Sequence, residues 1–314
     1  MRRFLDYFGR RLVSALVTLF GITLVVFLLI HLIPGDPART LLGPHATAGE
    51  LAAVHREWGL NRPIWVQYGL YMSRLLRGDF GTSLFYRVPV SQLVLQRLLP
   101  TLLLMMFGAV LALVLALPLA AVAASLKGRI ADQVIRLLSL AGLGIPSVWI
   151  GIVLVLLVAI RANLLPVAGY GTSVPAHLES LILPSLTIAI GMFPTLTRSL
   201  RVGLIAVLDS DYIASARARG LSAWRVLVRH GMRNAIAPTV TVLGLNIGYL
   251  VGSTVAIETI FALPGIGTLM VQAVLSRDFP IVQGVAIVYG ILVLAVNLGT
   301  DLVHTALDPQ LELT

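Results

Sequence analysis

Residues Asp209–Pro238 read DSDYIASARARGLSAWRVLVRHGMRNAIAP, a charged island between two apolar runs that are each long enough to cross a bilayer. Asp209, Asp211, Arg217, Arg219, Arg225, Arg229 and Arg233 fall within it. The pattern predicts two short helices joined by a tight turn. Gly220 can take the left-handed conformation that ends a helix, Ser222 can cap the next, and Asp209 or Ser210 is placed to cap the first. In the second helix Leu221, Trp224, Leu227 and Val228 share one face at helical spacing. Arg225, Arg229 and Arg233 recur every four residues on another. Such a basic amphipathic segment suits two uses, lying on anionic lipid or docking a soluble partner.

The flanking sequence decides the fold class. Of 314 residues 58% are hydrophobic and 12% charged, and the mean hydropathy is +0.94. That composition belongs to an all-α polytopic membrane protein. The net charge of +9 reads as loop arginines biased to one membrane face rather than as a nucleic-acid surface. There is no cysteine, which excludes disulfides, thiolate nucleophiles and cysteine-ligated metals.

Six transmembrane helices are expected. The first, Leu12–Ile30, follows a basic N-terminal segment, exceeds the length of a signal-peptide core and lacks a small-x-small cleavage pattern. The others are expected at Thr101–Ala124, Leu137–Ile160, Leu181–Leu200, Pro238–Ile257 and Ile281–His304. Pro118, Pro146, Pro184 and Pro194 interrupt some of these, which neighbouring helices and polar side chains can compensate. Residues 1–33 thus form the N-terminus and first span, 34–100 an extracytoplasmic insert after it, and 101–314 the core, with 209–238 as a loop. With both termini cytoplasmic, Lys and Arg test the orientation. Of the 23, 14 fall in the N-terminal segment, Ser125–Arg136 and Arg198–Arg233, whereas the short outer loops hold Arg161 and Arg277. The seven in the insert do not oppose this, because long translocated regions escape the positive-inside bias.

The catalytic chemistry of a self-powered pump is missing. The sole lysine, Lys127, is flanked by Leu126 and Gly128, so the chain has no phosphate-cradling Gly-Lys-Ser/Thr loop. His31, His45, His55, His177, His230 and His304 show no i, i+4 pairing that would suit a metal, and His45 and His55 read as surface residues. An ion-coupled secondary transporter is the rival reading, but it needs ionisable groups near the bilayer midplane. Here Glu258 is expected at the outer end of the fifth span and Asp301 near the inner end of the sixth. Asn246 and Tyr249, three apart in the fifth span, are candidates to line an aqueous path or to pack against another helix, and Glu258 is the third path candidate.

These residues resemble the permease subunits of binding-protein-dependent ABC importers, in particular the B-type subunits of the dipeptide, oligopeptide and nickel group. Ala216, Arg217, Ala218, Arg219, Gly220, Leu221 and Ser222, followed by Arg229, His230, Arg233, Asn234, Ala235 and Pro238, match that group's form of the coupling loop. Matching stretches also include Ile33–Pro37, Gly59–Tyr68, Arg77–Ser83, Ile182–Thr187, Glu258–Gly267, Arg277–Gln283 and Ala306–Pro309. The chain departs from the wider family where Glu-Ala-Ala is replaced by Ala214, Ser215 and Ala216, with Asp211 one turn earlier.

The resemblance implies a type I importer fold in the bacterial inner membrane. It also implies a homologous C-type permease as heterodimer partner, two ABC ATPases that carry ATP and Mg, and an extracytoplasmic solute-binding protein. The chain itself would bind no cofactor or metal and catalyse no reaction. Asp211, Ala216, Arg217, Gly220, Leu221, Ser222, Trp224, Arg225, Arg229, His230, Arg233 and Asn234 would form the ATPase-coupling site. The 34–100 region would face the binding protein, and di- or oligopeptides or a related small solute would be carried.

Overall fold

The computed structural model describes residues 2–31, 37–43 and 46–307. Most of the Ile33–Pro37 motif, His45, and Asp308 and Pro309 of the last motif lie outside them, as does the side chain of His304.

Among the described residues the regular structure is helical, joined by turns and loops, with one isolated bridge between Thr82 and Pro89. Such a fold is what lipid demands, because a helix satisfies its own N–H and C=O groups where water cannot. Among the described residues four helices are long and apolar enough to cross a membrane: Val90–Ser125 (α5), Val174–Leu208 (α8), the continuous stretch Ala223–Ile260, and Phe279–Val303 within α13 (Phe279–Leu307). The pair α6 (Ile130–Leu143) and Ser147–Arg161, whose α-helical part is α7 (Ser147–Leu154), is apolar enough to add a fifth only when its two bent members are counted together. The first expected span lies in α1 (Arg2–His31), whose apolar stretch is Val13–Leu28.

Two expected spans differ from their sequence reading. Leu137–Ile160 is not one helix, since α6 and the following helix meet at 102°. Pro146 is the cause: it lacks an N–H, it disfavours helical dihedrals at Ile145, and it takes the extended N-cap conformation of α7. Pro184 and Pro194, by contrast, remain inside α8. The fifth span begins at Ala223 rather than Pro238.

Contacts divide the chain into two compact units. The first comprises residues up to Thr101 together with Pro264–Leu294. Within it α2 (Pro37–Leu42), α3 (Ala48–Trp58) and α4 (Ile64–Leu75) follow α1. A capping box starts α3: the Thr47 backbone N–H donates to Glu50 Oε2 (2.8 Å) and the Glu50 N–H to Thr47 Oγ1 (3.3 Å). The Thr47 backbone donor, and then its hydroxyl, hold the Glu50 carboxyl below its ordinary range.

The Gly59–Tyr68 motif fastens α4 to α1. Tyr68 stacks edge-on against Phe20 and Phe27 at 5.8 and 5.3 Å, and its hydroxyl meets Thr23 Oγ1 at 2.8 Å. Gln67 Oε1 lies 2.9 Å from His31 Nε2, while its amide donates to the Leu60 and Arg62 carbonyls. A buried core joins Val90, Leu93 and Val94 of α5 to Ile266, Leu269 and Ala273 of α12 (Ile266–Leu275) and to Ile281 and Val285 of α13.

Two further family motifs meet in this unit. Asp278, buried, accepts at Oδ2 from the Ser83 hydroxyl (2.6 Å) and from the backbone N–H groups of Leu84 (3.0 Å) and Phe85 (3.1 Å). The Arg77–Ser83 turn is thereby tied to the Arg277–Gln283 motif almost two hundred residues later. Asp278→Ala would strand these donors, and a buried polar group left unpaired costs about 1–3 kcal/mol. The expected result is a marked drop in the thermal midpoint of the detergent-solubilised protein, with Asp278→Asn, which keeps an acceptor, dropping much less. Equal midpoints for the Ala variant and wild type would contradict the tether.

Candidate coupling site

The second unit holds Leu102–Leu263 and the end of α13. Its α8 packs closely on its neighbours through small residues, the usual basis of helix association in lipid. A Cβ placed on Gly142 would come within 2.8 Å of the Pro194 ring, and one on Gly203 within 3.1 Å of the Ala235 carbonyl oxygen.

At one end of α8 the chain turns back on itself. Asp209 ends α8 and Ser210 takes the N-cap position of α9 (Asp211–Ala218). Neither caps α9 by its side chain, as the sequence suggested: the Ser210 hydroxyl donates backward to the Val207 carbonyl, and Asp209 Oδ2 pairs with Lys127 Nζ at 2.8 Å. Gly220, at φ +80°, closes the helix, with Gly220 N–H to Arg217 O (2.9 Å) and Leu221 N–H to Ala216 O (3.4 Å). Open space surrounds a Cβ built there, so glycine is required by the dihedral and not by crowding.

Ser222 caps the next helix as expected, its hydroxyl accepting from Arg225 N–H at 3.4 Å. That helix is not short. One α-turn, α10 (Ala223–Arg225), opens into a π-helix over Val226–Met232 and continues as α11 (Arg233–Ile260). No proline lies between Ser222 and Pro238, and the i→i+5 bonding carries the helix through Val226–Met232, Gly231 included, without ending it.

The π-turn re-sorts the face read from the sequence. Leu227 and Met232 turn inward onto a core of Ala120, Ala124, Leu200, Leu204 and Ala235, and Val226 is buried. Trp224 stays 73% exposed and Val228 45% exposed. Arg217, Arg225, Arg229 and Arg233 are exposed as well, as is Asp211 in the first turn of α9, while Leu221 is half-buried. Ala216 is buried with Ile213, so in this structure it supports the hairpin from beneath. Asn234 donates to the Tyr212 hydroxyl (2.8 Å) and to the His230 carbonyl (3.1 Å), bracing α11 against α9.

The three expected path residues all lie on α11. Asn246 donates to its own helix at Val242 O (2.7 Å) and accepts from Thr195 of α8 (3.4 Å), the packing role its position also allowed. Glu258 is fully buried, and Tyr249 is 80% exposed. Sequence reasoning overlooked Tyr212, the Lys127–Asp209 pair and the ion pair of Asp132 with Arg201. The latter is bidentate, with Arg201 Nε to Oδ1 at 2.6 Å and Nη2 to Oδ2 at 2.7 Å. Asp132 and Arg201 are 69 residues apart and carried no motif, so only an alignment of the two helices could have revealed them.

Comparison with known proteins accords with this architecture. Residues 116–313 match the family described as "Binding-protein-dependent transport system inner membrane component", and residues 1–105 match its N-terminal companion. The glutathione transport system permease protein GsiC of Salmonella choleraesuis is 35% identical over 307 residues, covering 98% of this chain and 99% of the relative. A probable peptide ABC transporter permease, y4tP of Sinorhizobium fredii, is 37% identical over 308 residues, covering 97% and 98%. In fold, the chain is similar to a subunit of the inward-facing MetNI methionine ABC transporter, with a TM-score of 0.58 at 15% identity over 69% of this chain and 97% of that one. These likenesses favour an ABC permease over an ion-coupled carrier. Matched in sequence along nearly its whole length, the chain belongs to the inner membrane components of binding-protein-dependent transport systems, the permeases of ABC importers.

Proposed function

We propose that the chain is the half-channel of an ATP-driven importer for di- or oligopeptides, glutathione or a related small solute, and that Asp209–Pro238 is where its ATPase attaches. The observation that carries this reading is that Trp224 and Val228 are exposed, with exposed Arg225 and Arg229 next to them in the chain, at the start of a helix that runs unbroken to Ile260. An aromatic anchor with an Arg rim has the composition of an interface hot spot.

On this reading the hairpin and both termini face the cytoplasm, two ATPases carrying Mg-ATP bind the hairpin and its counterpart on a homologous C-type permease, and a solute-binding protein delivers cargo from outside to the 34–100 region. Asp211, Arg217, Arg225, Arg229 and Arg233 supply the polar rim. Ala216, Gly220, Ser222, His230 and Asn234 set its shape, and Leu221 and Trp224 enter a groove on the ATPase. Closure of the ATPases moves the hairpin, and α8 and α11 carry that movement to the path. Tyr249, exposed on α11, is the residue we place toward the path or the second permease. The similarity to glutathione and peptide permeases supports the solute class.

Co-reconstitution with the ATPases, the partner permease and the binding protein should give uptake that requires both ATP and the binding protein. Uptake by this chain alone, driven by an ion gradient, would overturn the reading. Trp224→Asp should weaken ATPase association by roughly thirtyfold, the loss of a hot spot worth about 2 kcal/mol, with membrane insertion unchanged. Gly220→Val, forced to hold φ +80° at a cost of about 1–2 kcal/mol, should uncouple ATP hydrolysis from uptake. Unaltered association and transport in both variants would count against docking through this loop.

A further inference from the structure

A second basic feature lies apart from the coupling hairpin, between α6 and α8. A groove of about 370 Å³ opens there, and its polar lining consists of Arg136, Ser139, Thr197, Arg198 and Arg201. Ser139 and Thr197 are 6% and 1% exposed, and the hydroxyl of each is buried without a hydrogen-bond partner. Buried hydroxyls are ordinarily bonded, so two orphans in one groove point to a missing polar ligand.

The charge balance gives the sign of that ligand. No lining residue is acidic. The nearby carboxylate of Asp132 is occupied, its Oδ1 and Oδ2 accepting from Arg201 and its Oδ2 also from the Gly128 N–H at 2.9 Å. This pair fixes Arg201 in place and leaves Arg136 and Arg198, both exposed at the groove, as the positive excess. The remaining walls are apolar, among them Ile135, Leu143 and Val202. An anion with apolar substituents therefore fits better than a free one.

The surroundings identify its source. α6 lies at 102° to the helix that follows it, and Leu137, Leu138 and Leu140 on it are 65%, 59% and 56% exposed. A helix that turns out of the span direction with bare leucines beside arginines has the character of an interfacial helix, and basic pockets between helices on the cytoplasmic side suit lipid headgroups.

We propose that the α6–α8 groove holds the phosphate of an anionic phospholipid, with Arg136 and Arg198 engaging the charge, Ser139 and Thr197 donating to its oxygens, and an acyl chain running along Leu143 and Val202. Assignment to the cytoplasmic leaflet rests on the orientation proposed above. Lipid retention needs neither ATP nor uptake, so a failure here is read separately from a failure of the transport reading.

The test uses the assembled transporter in nanodiscs of phosphatidylcholine containing a minor fraction of phosphatidylglycerol, followed by detergent extraction and quantification of retained lipid. At about 1 kcal/mol per basic residue, Arg136→Gln with Arg198→Gln should lower phosphatidylglycerol retention roughly thirtyfold. Phosphatidylcholine retention should be unchanged, the paired Lys substitutions should largely restore binding, and Arg161→Gln should behave as wild type. If the glutamine pair fails to assemble, Arg198→Gln alone should give a loss of about fivefold. Equal phosphatidylglycerol retention in wild type and variants would overturn the proposal. So would displacement of the lipid by inorganic phosphate or a dipeptide, which would make the groove a site for free anion or solute.

Discussion

A docking loop can move a distant path only through an element that runs without a break between them. The helix from Ala223 to Ile260 meets that condition: 38 residues without a break, about 55 Å at 1.5 Å per residue. Trp224 stands at one end and Glu258 is buried near the other. Contacts elsewhere in the second unit hold this helix and its tip in place. Gly203 lets Ala235 approach α8, the Tyr212–Asn234 bond braces α9 on it, and Leu227 and Met232 root the π-turn in the core around Leu204.

The π-turn also explains the chemistry of the tip. Three consecutive bulky residues, Val226, Leu227 and Val228, cannot all face inward on a regular helix. With the wider turn Val226 is buried and Leu227 packed, and Val228 is released to stand with Trp224. The exposed patch is thus a product of local backbone geometry as much as of residue type. Departures into π-helix cost regular bonding and are often found at functional sites.

Much of this was legible in the chain. Charge-free runs gave the spans because lipid leaves the backbone no alternative to the helix. Gly220 and Ser222 announced their turn through dihedral and capping chemistry that depends on the residue itself. What stayed hidden depended on distant partners or on competition between neighbours. Pro146 breaks its helix while Pro184 and Pro194 remain inside α8, a difference that residue type alone does not carry. Asp278 reads as one more loop carboxylate until the turn at Ser83–Phe85 folds onto it. Asp132 and Arg201 lie in unremarkable sequence and acquire meaning only when α6 meets α8.

The absence of cysteine from the chain makes its central contact directly measurable. Trp224→Cys would introduce a single thiol at the exposed tip, and a short bifunctional thiol reagent would be applied to the assembled transporter carrying a cysteine in the ATPase groove. Docking through this hairpin predicts a covalent adduct of one permease with one ATPase, whose yield changes when ATP is bound, and no adduct from Ala216→Cys, which is buried. No adduct at position 224, or an equal yield from Leu164→Cys in the loop after α7, would contradict it.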